Sequence, residues 1–146
     1  MDRRDVDTVP ALIGAAIVFT FGLVALLVAD ELLHVMGAIF VGAFLGGAIA
    51  AGRCDRRHGE TITGLAGPIL GYLLIIPFLS GVRLAELEIV ADASPDDTIF
   101  LLGLLSLMFA AIFGLLVLFF AMVGATIGGA IGSNTPTQGP RSRIGR

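Results

Sequence analysis

Along this chain the polar residues fall into a few short clusters, and the apolar residues form long, nearly unbroken runs between them. Windows of about 18 or more residues without Asp, Glu, Lys or Arg occur four times, at residues 9–29, 32–52, 62–82 and 98–132. Each is long enough to cross a hydrocarbon layer. Inside such a layer every backbone N–H and C=O must find its partner within the segment, so the windows predict helices, and the ten-residue alternation of barrel strands is missing. The expected fold class is therefore all-α: a polytopic membrane protein with four transmembrane helices, a short tail at residues 1–8, and a polar, turn-rich tail at residues 133–146 expected to be disordered.

Local start signals sharpen two boundaries. Asp7-Thr8-Val9-Pro10 offers a cap and an early proline for the first helix. Ser94-Pro95-Asp96-Asp97 does the same for the last helix, with two carboxylates near the positive end of the helix dipole. The last window is overlong: from Pro95 to Gly132 a helix would run about 57 Å, against a core of about 30 Å. Nothing polar interrupts residues 107–131, so one helix is expected, with a bend at Gly103 or Gly114 as the accommodation.

Two of the apolar runs carry almost the same phrase, Gly42-Ala43-Phe44-Leu45-Gly46-Gly47-Ala48-Ile49 and Gly124-Ala125-Thr126-Ile127-Gly128-Gly129-Ala130-Ile131. Lipid tails are as apolar as leucine, so helices in a bilayer associate through close backbone approach, which small residues at every fourth position permit. Ala38, Gly42, Gly46 and Ala50 form one such ridge, and Gly124, Gly128 and Gly132 a second. The repeat is read either as two duplicated helical hairpins or as convergent use of small residues. These zipper faces serve either packing within one chain or self-association. The third segment concentrates Gly64, Gly67, Pro68, Gly71 and Pro77, a set that reads as helix breakers: tolerated kinks, or the broken half-helices of a transporter.

Composition narrows the setting. At 146 residues, 56% apolar and 14% charged, with a mean hydropathy of +0.96, the chain lies far from soluble norms of roughly 45–50% and 25%. All nine basic residues are arginines, and their placement gives a direction. Arg3 and Arg4 precede the first span; Arg53, Arg56 and Arg57 lie between the second and third; Arg141, Arg143 and Arg146 follow the fourth. The third connection holds Arg83 alone, and the first holds none. By the positive-inside rule this places both termini in the cytoplasm, in a multi-pass protein of the plasma membrane. The first span is too long for a signal peptide and reads as a retained anchor. A net charge of −3 with no basic cluster disfavours a nucleic-acid partner and leaves the lipid bilayer as the expected one.

Candidate chemistry is sparse. No charge lies near the middle of a span, and the expected buried polar set is Thr20, Thr63, Tyr72, Ser80, Ser106 and Thr126. His34 with Asp30 and Glu31 reads as an interfacial turn before a metal or proton site. Cys54 and His58 are two ligands where a zinc site needs four. No Ser-His-Asp set, nucleophile elbow or phosphate loop is present. No catalytic, cofactor-binding or metal residue is assigned.

From His34 to Gly81, the Gly-Ala-x-x-Gly-Gly-Ala-Ile segment, the short basic loop and Thr63-Gly64-Leu65-Ala66-Gly67 resemble small four-span haloarchaeal membrane proteins of unknown function. The lysine-free, acidic composition is similar to that group too. The resemblance implies a fold and a setting, with no activity or ligand residues to carry over. The expected function is non-enzymatic, a structural or interaction role resting on glycine-zipper packing and homo-oligomerisation; the alternative is an oligomeric channel or small-solute transport subunit.

Overall fold

The computed structural model describes residues 7–29, 31–54, 60–86 and 94–133. Four helices account for nearly all of them: α1 (Thr8–Val28), α2 (Leu32–Gly52), α3 (Glu60–Ala85) and α4 (Pro95–Ser133). Among the described residues there is no strand. All four helices are long and apolar enough to cross a membrane, and their ends lie within three residues of the charge-free windows. At 21 residues each, α1 and α2 measure about 32 Å, close to the thickness of a hydrocarbon core. The protein is a polytopic α-helical bundle whose outer surface is largely hydrocarbon, as a lipid-facing surface must be. Leu107, Leu115 and Phe119 on α4 and Leu27 and Val28 on α1 are all more than half exposed.

The local chemistry explains the helix starts. Ser94 caps α4 reciprocally: its hydroxyl accepts the Asp97 N–H (3.3 Å) and donates to Asp97 Oδ2 (2.7 Å). Pro95 then takes the first helical position, where its missing N–H costs nothing. Asp7 occupies the cap position of α1 without a side-chain cap bond. Its backbone N–H reaches across to α3 and donates to Thr63 Oγ1 (3.1 Å).

Helix directions follow from which glycine meets which neighbour. Gly14 meets Gly46, and Gly22 meets Ile39, so α1 and α2 are antiparallel. Gly67 meets Ala11 and Gly71 meets Ala15, which makes α3 parallel to α1. Gly124, Gly128 and Gly132 meet Phe44, Ala48 and Gly52 in turn, which makes α4 parallel to α2. We call the end holding the start of α1 and the end of α2 basal, and the opposite end distal. Viewed along the bundle, α2 and α3 form the shared middle, and α1 and α4 flank them on opposite sides with almost no mutual contact. A two-fold axis exchanging the two hairpins would make the α2–α3 and α1–α4 pairs equivalent. They are not equivalent, and the repeated phrases sit in different surroundings: Gly46 faces α1, whereas Gly128 faces α2.

The overlong helix is one uninterrupted α-helix, about 58 Å in length over its 39 residues. Ser106 donates to Ser80 (3.0 Å) across the antiparallel α3–α4 pair, which brings Ala85, the last residue of α3, level with about Leu101. The first turn and a half of α4 therefore projects past the distal end of α3, and Ile99 and Phe100 on it are 69% and 70% exposed. The projection takes up about 9 Å of the excess length. Helix α3 also continues without a break through Pro68 and Pro77, so of the two alternatives the prolines are tolerated within one helix and do not split it into half-helices.

The same geometry ranks the glycines by tolerance. A Cβ at Gly124 or Gly128 would run into the carbonyl oxygens of Phe44 and Ala48, whereas at Gly37 and Gly103 it would meet nothing within 4 Å. Gly124→Ala and Gly128→Ala should each cost about 1–3 kcal/mol through overpacking against rigid backbone. Gly37→Ala and Gly103→Ala should be neutral or stabilising by less than about 1 kcal/mol. Unfolding of the detergent-solubilised protein by heat or SDS checks the ranking.

Candidate functional site

The feature that sets this bundle apart is a seam of direct backbone contact through the basal halves of all four helices. On α2 one small face, Gly42, Gly46 and Ala50, is buried against α1: a Cβ on Gly46 would lie 2.7 Å from the Gly14 carbonyl oxygen, and one on Gly42 3.2 Å from Val18 Cα. A second face of the same helix meets α4, where a Cβ on Gly47 would lie 2.5 Å from the Ala121 carbonyl oxygen. The α4 ridge of Gly124, Gly128 and Gly132 seats on Phe44, Ala48 and Gly52 of that face. Six of the seven residues expected to pack helices thus lie in close contacts inside the protomer. The seventh, Ala38, extends the α2 ridge distally, where it borders an open groove beside α1.

Six glycines that meet a neighbouring backbone were not among the residues expected to pack helices: Gly14, Gly47, Gly52, Gly64, Gly67 and Gly71. Gly67 and Gly71 rest on the carbonyls of Ala11 and Ala15, so two small pairs of equal spacing on α3 and α1 face each other. Gly64 fits between Ala51 and Ala125, where α2, α3 and α4 converge. The signal was present as Gly67-x-x-x-Gly71 and Ala11-x-x-x-Ala15. Pro68, lying between the glycines, suggested a breaker; its ring instead packs toward Gly14, its Cδ 3.4 Å from where a Cβ would stand.

Distally the glycine contacts give way to large side chains and polar bonds. Tyr72 OH donates to the Phe109 carbonyl (2.7 Å, buried), and the Ser106–Ser80 bond adds a second tie between α3 and α4. Phe40 stacks on Phe120 across α2–α4, with centroids 5.3 Å apart, and Phe19 meets Phe78 edge-on across α1–α3 at 5.9 Å. Thr63 and Ser80 are fully buried. Thr20 and Thr126, expected to be buried, face outward instead: Thr126 returns its hydroxyl to the Val123 carbonyl (2.8 Å), which satisfies it locally, and Thr20 borders the groove.

Thr63 is the basal polar hub. It accepts the Asp7 N–H from the start of α1, and the Cys54 thiol just beyond α2 lies 3.7 Å from the same oxygen, so one hydroxyl joins three helix ends. At the distal end Glu31 and His34 pair at 3.3 Å, both about 70% exposed. Arg83 closes α3 with an Nη1 contact to Glu86 (2.6 Å), and its buried Nε has no partner among the described residues. Arg53 follows α2 at the basal end and is exposed. The other topology-determining residues, Arg3, Arg4, Arg56, Arg57, Arg141, Arg143 and Arg146, lie outside the described residues, as do Asp30, His58 and most of the tail expected to be disordered. Among the described residues no three of His, Cys, Asp and Glu come together in a metal-binding group.

Set beside known proteins, the chain matches no protein-family model, no curated protein and no solved structure. Its functional reading rests on its own geometry.

Two substitutions test the polar ties. Thr63→Val leaves the Asp7 N–H without its acceptor and should destabilise the protein by about 1–3 kcal/mol. Tyr72→Phe removes one interhelical bond and should cost nearer 0.6 kcal/mol, the average for such bonds in a membrane protein. Chemical unfolding in detergent, read by helix circular dichroism, gives the order.

Proposed function

We propose that this chain is a non-enzymatic plasma-membrane protein, with both termini in the cytoplasm, whose role is structural or interactive. The observation that carries this reading is where the polar groups of the spans are spent: Tyr72, Ser80, Ser106 and Thr63 bond to neighbouring segments of the same chain. A side chain so engaged is not presented to a solute. The glycine-zipper faces are likewise filled within the protomer, so self-association would run through the outward rows of α1 and α4, where large apolar side chains stand exposed. The resemblance to haloarchaeal four-span proteins points to the same setting. Cytoplasmic termini rest on arginine placement, with Arg53 at the basal end and only Arg83 at the distal one.

One feature favours the second reading, an oligomeric channel or small-solute transport subunit. Pro68 and Pro77 withdraw the amide donors that the carbonyls of Gly64 and Leu73 would otherwise meet, and unpaired carbonyls can line a permeation path. Flux separates the two. Proteoliposomes of the purified protein should move ions, water and small neutral solutes no faster than empty vesicles; a saturable flux abolished by Gly46→Ile would establish the transport reading instead. Orientation is read in intact cells with the native Cys54 replaced by serine. A cysteine placed at Asp92 should react with an impermeant thiol reagent, and one placed at Asn134 should not.

A further inference from the structure

We propose that the groove between the distal halves of α1 and α2 seats one hydrocarbon chain of a membrane lipid, with the lipid's polar head at the level of Glu31 and His34. The groove has a volume of about 350 Å³, within the range of ligand pockets. It exists because the close contact of the basal seam ends. Gly14 and Gly46 hold α1 and α2 backbone to backbone, but at the level of Ala38 the α1 glycine, Gly22, faces the side chains of Ile39 and Ile75 instead, and the short side chains of Ala25, Ala29 and Ala38 leave open space.

Its shape and chemistry suit a chain. The lining runs along α1 from Thr20 to Ala29, about 14 Å parallel to the span axis, from mid-span to the distal end. The lining residues are apolar apart from Thr20, so a polar solute would find almost nothing to bond. One turn beyond Ala38 on the same stripe of α2 stands His34, paired with Glu31, where the span meets the headgroup layer. A helix from a second copy fits less well. Helix docking in lipid needs small residues repeated over several turns on both sides, and here α2 contributes Ala38 alone, while Phe21, Val24 and Val28 stand proud on α1. The outcome is an apolar slot along the span axis that suits a single hydrocarbon chain. This inference rests on the four helices crossing a bilayer and is independent of whether the protein scaffolds or conducts.

The chain contains no tryptophan, so Phe21→Trp provides a single reporter in the slot, and Leu115→Trp, at a position 73% exposed on α4, reports on ordinary lipid contact. Full-length protein purified with its own lipid is transferred into bilayers of brominated phosphatidylcholine, whose chains quench tryptophan. Quenching of Phe21→Trp should be at least about tenfold slower than that of Leu115→Trp, as residence in a specific site requires, and the lag should vanish after exhaustive delipidation. Equal rates at the two positions overturn the proposal. Native mass spectrometry should find one lipid retained per wild-type protomer and none on Ala38→Phe, which fills the slot. Undiminished lipid on a folded Ala38→Phe variant, or an oligomer that carries no lipid and falls apart on this substitution, also overturns it. Should Ala38→Phe fail to fold, the quenching comparison decides alone.

Discussion

The bundle depends on one contact type: main chain against main chain, without side chains between. In water, four helices this apolar would be held together by removing their surface from solvent. In hydrocarbon that drive is gone, and what remains is dispersion between closely matched surfaces together with interhelical hydrogen bonds. Dispersion falls off within a fraction of an ångström, so the helices gain most where nothing but hydrogen stands between their backbones. Gly46 on the Gly14 carbonyl, Gly128 on that of Ala48 and Gly71 on that of Ala15 are three instances, each joining a different pair of helices. Every such contact lies on the basal half or at mid-span: residues 11–18 of α1, 42–52 of α2, 64–71 of α3 and 121–132 of α4.

Confining close approach to one half has consequences for the other. Distally the space between helices is filled by Ile39, Tyr72, Ile75, Leu79 and Phe109, all buried, and phenylalanine pairs bridge α1–α3 and α2–α4. Between α3 and α4 polar bonds take over where the glycines stop, since Tyr72 and Ser80 tie the two helices at depths where no backbone contact does so. Among the described residues the α1–α2 seam has neither device distally, and there the groove opens. One end is therefore rigid by sterics, and the other is adjustable through side-chain choice.

Much of this was legible in the sequence, for a physical reason. Hydrocarbon thickness and the demand for internal hydrogen bonds act along the chain, so the count, type and approximate ends of the helices can be read from charge-free windows and from caps such as Ser94-Pro95. Contact partners are set in the other two dimensions. The ridge Gly42, Gly46 and Ala50 announces a close neighbour without saying that it is α1, and the repeated phrase suggested equivalent hairpins that the packing does not contain. The doublet Gly46-Gly47 records that α2 has two small faces, a feature visible only once its two neighbours are known. On α3 the prolines masked the contact glycines, and on α1 the alanines Ala11 and Ala15 were too ordinary to stand out.

The glycine seam is made within one chain, and an engineered disulfide puts this to the test. Ala51 on α2 and Ala125 on α4 are both buried and flank Gly64, with their Cβ atoms 3.0 and 2.6 Å from the point where a Cβ on Gly64 would stand. With Cys54 replaced by serine, cysteines at these two positions should be near enough to join under mild oxidation. An intramolecular bond is expected, found as a cross-linked peptide pair in protein that still migrates as a monomer on a non-reducing gel. A covalent dimer, or two thiols that stay reduced, would contradict it.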